Sequence, residues 1–171
     1  MITLLNGRGQ LGTAISKRLK EIEYVYSPEV LIYHTWNIED KQKHLQELEL
    51  EKFKPIVDTN TDKKIIFIST SSQRESWYTH YKQLAESYLL QNCENGFNLR
   101  FPTLIGKGVL EDLKTNTSDP YGDIELMSIE DAALHTINKI NYSGIIKSFN
   151  FQGLPIPAHM VQKLLKFEVS S

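Results

Sequence analysis

The chain has 171 residues, a net charge of -2 and one cysteine, Cys93. That length fits one domain with a real core. The near-zero charge gives no field to recruit nucleic acid or anionic lipid, and a single cysteine excludes an internal disulfide. Cys93 has no metal-site spacing and reads as a half-buried thiol; the five histidines show no ligand pattern, so no metal is expected. No run of about 18 apolar residues is present, so no membrane span is expected. The start, Met1-Ile2-Thr3-Leu4-Leu5, is unlike a signal peptide, and these absences together point to the cytoplasm.

In chain order the elements alternate as in an α/β protein, without repeats or low-complexity segments. Ile2 to Leu5 is an apolar run that suits a buried strand. A glycine-rich turn follows, then Leu11, Ile15 and Leu19 at helical spacing to about Glu21. Tyr24 to Tyr26 is a candidate second strand and Val30 to Tyr33 a third. Asp40 to Phe53 reads as a surface helix that Pro55 stops. Lys64 to Ser69 is the clearest buried parallel strand, and Trp77 to Gln91 a long helix capped near Asn95-Gly96. Asn98 to Phe101 is a strand, Ile129 to Ile140 a helix with Asp131 in its first turn, Ser148 to Phe151 a strand, and Pro157 to Phe167 a closing helix. Between them, residues 106–123 are rich in Gly, Asp, Asn and Thr and read as a long loop.

The turn Asn6-Gly7-Arg8-Gly9-Gln10-Leu11-Gly12 sits between a strand and a helix. Glycines let the backbone turn tightly and approach a pyrophosphate, and the helix start supplies partial positive charge. A glycine at position 12 lets the helix pack close to the sheet. The turn therefore reads as a nucleotide or dinucleotide cradle, with an ordinary glycine-rich connection as the alternative. It is no P-loop, because no Gly-Lys-Ser/Thr follows. Dinucleotide folds often place an acid after the second strand to hold the adenosine ribose. Ser27 occupies that place, and Glu29 comes two residues late. Arg8 either meets a 2′-phosphate, favouring NADP, or is a solvated turn residue.

Tyr78 and Lys82 are four apart on the long helix and so share a face. A free tyrosine, with a pKa of about 10, is a poor base at neutral pH. A neighbouring ammonium favours the phenolate and lowers that value, so the phenol can exchange a proton with a substrate oxygen. Serine hydroxyls at the end of the preceding strand, Thr70-Ser71-Ser72, can hold the same oxygen. Tyr81 and Tyr88 lack the lysine spacing and read as packing residues. His34 and His80 are near enough in sequence to reach such a site, although a partly exposed histidine is the commoner use of that residue.

Strand, glycine turn, Ser-rich strand end, Tyr-x-x-x-Lys and Ala-Glu together resemble the NAD-dependent epimerase/dehydratase family of extended short-chain dehydrogenases. The first residues are similar to those of the dTDP-4-dehydrorhamnose reductases within it, with Asn6 where the first glycine belongs. The similarity continues in Asn98-Leu99-Arg100-Phe101-Pro102-Thr103-Leu104-Ile105-Gly106, in Ser128-Ile129-Glu130-Asp131-Ala132-Ala133, and in the closing strand and helix. It implies a Rossmann-like doubly wound parallel sheet, in a single domain over residues 1–171. The substrate-binding part is truncated to little more than the 106–123 loop. It also implies that Tyr78 is the acid/base and that Lys82 binds the nicotinamide ribose. Ser71 is the matching serine, with Thr70 and Ser72 one place away. Gly7, Arg8, Gly9, Gln10, Leu11 and Gly12 would hold the pyrophosphate of NAD or NADP.

Three functions follow. One is an NAD(P)-dependent oxidoreductase or epimerase acting on a nucleotide-linked sugar. A second is a non-catalytic dinucleotide-binding or partner-regulating protein on a reduced dehydrogenase scaffold, motivated by the missing substrate domain. A third is a scaffold that has lost the cofactor, motivated by Asn6 and Ser27. Family members often dimerise through the tyrosine-bearing helix. Leu84, Tyr88 and Leu89 would serve a homodimer, or equally the core.

Overall fold

We describe residues 2–5, 9–22, 29–39, 41–105 and 122–170 of a computed structural model. The elements are β1 (Ile2–Leu5), α1 (Gln10–Leu19), β2 (Val30–Tyr33), α2 (Lys43–Asp58), β3 (Lys64–Thr70), α3 (Trp77–Asn92), β4 (Gly96–Phe101), β5 (Thr103–Ile105), β6 (Asp123–Ser128), α4 (Ile129–Ile140), β7 (Ser148–Asn150), β8 (Leu154–Pro157) and α5 (Ala158–Ser170). The main sheet is parallel, in the order β1-β2-β3-β4-β7. β2 and residues 65–68 of β3 are continuous apolar runs because both faces are covered. Val30, Ile32, Ile66, Ile68, Leu99 and Phe101 face α1 and α4, where they meet Ala14, Ile15, Ala132, Ala133 and Ile137. Leu31, Tyr33, Ile65 and Phe67 face α2 and α3, where they meet Leu50, Phe53, Val57, Tyr81, Ala85 and Leu89. Helices on both faces of a parallel sheet make this the α/β, Rossmann-like architecture that the resemblance implied.

The strand order carries a further fact. From β1 to β4 the chain advances in one direction across the sheet, yet α1 lies on one face and α2 and α3 on the other. A complete dinucleotide fold has the order 3-2-1-4-5-6, leaving strand 1 in the other direction before it returns. Here only residues 20–29 join α1 to β2, whereas a full strand–helix–strand unit takes roughly 30. The expected strand at Tyr24 to Tyr26 lies outside the described residues.

A second, smaller sheet has the order β5-β6-β8, with β5 parallel and β8 antiparallel to β6. It was not expected from the sequence. Asp123, placed at the end of the loop by sequence, opens β6, and Gly122 turns the chain into it at φ 74°; residues 106–121 lie outside the described residues.

Two helix ends differ from expectation. Pro55 does not stop α2, which runs to Asp58. Phe53 and Val57, both fully buried, anchor the helix on either side of it, and the Thr59 amide and hydroxyl donate to the Pro55 carbonyl at 3.0 and 2.8 Å. The proline itself is exposed, where its missing N–H costs least. Likewise α3 ends at Asn92, and Gly96 opens β4 instead of capping the helix. A Cβ on Gly96 would lie 2.8 Å from Leu89 Cγ, so the close approach of α3 to β4 demands glycine. Ser128 caps α4 by accepting from the Asp131 amide at 3.0 Å, and Glu130 and Asp131 sit in its first turn as the helix dipole favours. Cys93 is 2% exposed, and burial pushes its thiol above its ordinary range.

Candidate functional site

Because β2, β3 and β4 are parallel, their carboxyl ends emerge together, and segments 34–39 and 71–76 leave the sheet side by side. Segment 71–76 is held by local bonds. The Ser71 amide donates to Phe101 O at 3.0 Å, the Ser72 amide to Thr70 Oγ1 at 3.1 Å, and the Arg74 amide to Ser72 Oγ at 3.2 Å. Ser76 caps α3, accepting from the Thr79 amide at 3.1 Å. That cap fixes the first turn of α3 against the end of β3 and brings Tyr78 and Lys82 to the sheet.

Lys82 is buried at 4% exposure. Its ammonium donates to the Ile68 carbonyl at 2.8 Å and lies 5.3 Å from the centre of the Tyr78 ring, 5.1 Å from that of Phe67 and 5.5 Å from that of Trp36. Burial pulls its pKa down to about 7, although Glu86 and Glu49 oppose the shift. Tyr78 departs from the expectation that lysine would lower it: burial pushes the phenol up to about 12. The reason is geometric. The ammonium faces the ring and a backbone carbonyl, and its own charge is weakened by burial, so desolvation of the phenolate wins.

Behind this pair is an ion pair that sequence reading missed as such. Glu86, 4% exposed, accepts Arg100 Nε at 3.0 Å and Arg100 Nη2 at 2.6 Å, and also the Ser69 hydroxyl. It ties α3 to β3 and β4, so the helix bearing Tyr78 is fixed to the two strands beneath it. The Ala-Glu that follows Tyr-x-x-x-Lys was its only sequence signal.

Trp36 was also missed. It follows β2 directly, and its indole N–H donates to Gln46 Oε1 at 2.7 Å. His34, from the same segment, leaves the sheet at the same edge. His80 is placed elsewhere: it is exposed and lines an open groove of about 780 Å³ with Lys41, Arg74, Trp77 and Gln83, whose walls do not include Tyr78 or Lys82. The dimer candidates separate too. Leu89 is wholly buried in the core, Tyr88 donates to Asp58 Oδ1 at 2.6 Å, and Leu84 stays 41% exposed.

Of the glycine turn, Asn6, Gly7 and Arg8 lie outside the described residues. Gly9 is the N-cap of α1, and a Cβ there would meet nothing within 4 Å. Gly12 is buried in α1 as expected for close packing. Gln10 and Leu11 form the helix's first residues. Glu29 precedes β2, at the amino edge of the sheet, and pairs with Lys63 at 3.0 Å. A ribose at the carboxyl edge is out of its reach. Tyr78 and Lys82 meet at the carboxyl edge of the sheet, where segment 71–76 also leaves it, and there is open space at Gly9.

No family model matches the sequence, and no curated protein matches it. Solved structures do. UDP-N-acetylglucosamine 4-epimerase from Bacillus cereus superposes with a TM-score of 0.77 at 14% identity, covering 99% of this chain and 81% of that one. WbmH from Bordetella bronchiseptica, in complex with NAD+, gives 0.78 at 11% identity over 99% and 81%. The dTDP-4-dehydrorhamnose reductase from Bacillus anthracis, in complex with NADP, gives 0.72 at 12% identity over 99% and 80%. The fold is that of these enzymes. The resemblance drawn from the sequence is thus borne out at the level of fold. Among the described residues no helix is long and apolar enough to cross a membrane, and no His/Cys/Asp/Glu group is placed to hold a metal ion.

Proposed function

We propose that this chain uses NAD or NADP to oxidise, reduce or epimerise a nucleotide-linked sugar, with Tyr78 as the proton-transferring group and Lys82 and Ser71 beside it. The observation that carries the reading is the packing of Tyr78 against Lys82 where segment 71–76 leaves the sheet. Support also comes from structures of the same fold that hold NAD+ and NADP, and from the sugar nucleotide named for the Bacillus cereus epimerase.

When bound, the nicotinamide supplies hydride exchange. This chain's residues do the rest. A phenol held neutral by burial, at about 12, is a proton donor at neutral pH, which suits the reducing direction: Tyr78 gives its proton to a carbonyl oxygen as that oxygen gains charge. Lys82 shares the helix face of Tyr78 and lies over its ring. The Ser71 hydroxyl holds the substrate oxygen in line. Gly7, Arg8, Gly9, Gln10, Leu11 and Gly12 take the pyrophosphate at the start of α1. A cytoplasmic protein, with a homodimer through the exposed Leu84 side of α3, completes the reading.

The test is Tyr78→Phe, assayed on sugar nucleotides with NADH and NADPH beside fluorescence titration of both cofactors. Turnover falls by at least a hundredfold while cofactor affinity changes little. Unchanged turnover would exclude Tyr78 as the acid/base. A second reading, a non-catalytic dinucleotide-binding or partner-regulating protein, is favoured by the short 20–29 connection and by the indole seated over Lys82. It predicts cofactor binding with no turnover of any sugar nucleotide.

A further inference from the structure

We propose that Trp36 gates Lys82: its indole occupies the approach to the ammonium and is exchanged for the hydroxyl groups of an incoming ligand, a ribose or sugar diol. The proposal rests on the reading above, in which Lys82 belongs to a ligand site, and adds to it the residue that controls entry.

An ammonium has three N–H groups, and Lys82 spends one on the Ile68 carbonyl at 2.8 Å. The aromatic rings of Trp36, Phe67 and Tyr78 close around the rest at 5.1 to 5.5 Å, leaving the residue 4% exposed. A polar ligand reaches Lys82 only if one wall gives way. Phe67 cannot, being wholly buried in β3 and packed on Phe53 at 4.8 Å between ring centres. Tyr78 sits in the capped first turn of α3. Trp36 alone of the three belongs to an irregular segment, residues 34–39, and is only half-buried.

The hydrogen bond that anchors Trp36 comes from Gln46. Gln46 is fully buried in α2. Its oxygen accepts the indole N–H at 2.7 Å, and its nitrogen donates to the carbonyls of Asn37 at 2.8 Å and Glu39 at 2.7 Å. One amide therefore ties Trp36, Asn37 and Glu39 to α2. The indole also meets Phe53 and Phe67 edgewise or tilted, at 6.2 and 5.6 Å, so the closed position is a defined one. Leaving it exchanges a cation–π contact for charge-assisted hydrogen bonds, an exchange that a vicinal diol can make and an apolar molecule cannot. The charged or titratable groups facing Lys82 are Tyr78 and Glu86 on α3 and Glu49 on α2, and none of them moves with segment 34–39.

The experiment has a readout that needs no ligand. Reductive methylation of Lys82, followed by peptide mass spectrometry, is compared in wild type, Trp36→Ala and Trp36→Phe, with exposed Lys52 as internal reference. Circular dichroism confirms that each variant folds; if the alanine variant does not, the phenylalanine variant carries the comparison. We expect Lys82 methylation to rise at least tenfold in Trp36→Ala and less in Trp36→Phe, relative to Lys52. Unchanged labelling in the folded variants overturns the gate. In parallel, NAD+ and NADP+ are titrated in a Trp77→Phe background, where Trp36 is the one remaining tryptophan. A shift of its emission on binding, with several-fold tighter binding in Trp36→Ala, supports the gate. Binding with emission and affinity unchanged overturns it and leaves the proposed function standing. Faster labelling in Trp36→Ala without dinucleotide binding by any protein supports the gate and overturns the proposed function instead.

Discussion

Two buried lysines sit at opposite edges of the main sheet, and they are satisfied differently. Lys64, at the amino edge, is 4% exposed and donates to the carbonyls of Ile140, at 2.7 Å, and Tyr142. It closes the carboxyl end of α4, where helix carbonyls lack partners and the dipole favours a cation. Lys82, at the carboxyl edge, has the same exposure but one carbonyl and three ring faces. A buried cation whose hydrogen bonds complete a helix end belongs to the architecture. A buried cation with one carbonyl and otherwise aromatic faces around it is set up to exchange partners. That difference, more than burial or pKa, separates the structural edge of this molecule from the one that carries the candidate site.

The largest expected effect on stability lies beneath the site. Arg100→Met strands the Glu86 carboxylate, 4% exposed, with only the Ser69 hydroxyl, and costs about 3 kcal/mol, as breaking buried pairs does. Urea denaturation measures it. A loss under 1 kcal/mol would mean that α3 is held to β3 and β4 by packing alone. The two lysines come next. Lys64→Met removes the donor to the carbonyls of Ile140, at the end of α4, and Tyr142 and costs about 2 kcal/mol. Lys82→Met, which replaces a buried charge among aromatic rings by an apolar side chain, is neutral or slightly stabilising while cofactor affinity falls. Equal losses from both substitutions would erase the distinction drawn between the two edges.

The two edges also differ in the pH dependence. Both lysines have folded pKa values below the ordinary 10.5, about 8 for Lys64 and about 7 for Lys82, each mainly through burial. Between the folded and unfolded values the unfolded chain binds more protons, so these groups make stability rise with pH, from about 7 for Lys82 and about 8 for Lys64 up to 10.5. Tyr78 has the opposite sign. Its phenol stays protonated in the fold to about 12 but ionises near 10 when unfolded, so its contribution is lost from pH 10 upward. Chemical denaturation across this range shows a rise that begins near pH 7 in wild type and near pH 8 in Lys82→Met. An onset unchanged by the substitution would mean that Lys82 is hydrated and charged in the fold.

Elements whose sequence signal matches their environment were legible. Val30–Tyr33 and Lys64–Thr70 are apolar runs because both of their faces are covered, and the helices at Trp77 and Ile129 begin where a serine caps them. The strands of the second sheet were not. β5 and β8 are short and partly exposed, and β8 contains Pro155 and Pro157, which speak against a strand when read locally. Pro55 misled for the same reason: its local cost is outweighed by the burial of Phe53 and Val57. In the candidate site, the Tyr78–Lys82 spacing could be read because a helix repeats every 3.6 residues.

The sequence by itself determined the alternation of strands and helices, the glycine turn and the tyrosine–lysine face, because periodicity, caps and turn residues act over a few positions. Only the tertiary structure decided that the strands follow one direction from β1, that Glu29 lies at the wrong edge to meet a ribose, and that Trp36 covers Lys82 under the hold of Gln46. Those facts depend on segments distant in the chain meeting at one sheet edge, where burial can reverse what proximity in sequence suggests. Tyr78 is the clearest instance: the neighbouring lysine predicts a lowered pKa, and desolvation raises it to about 12.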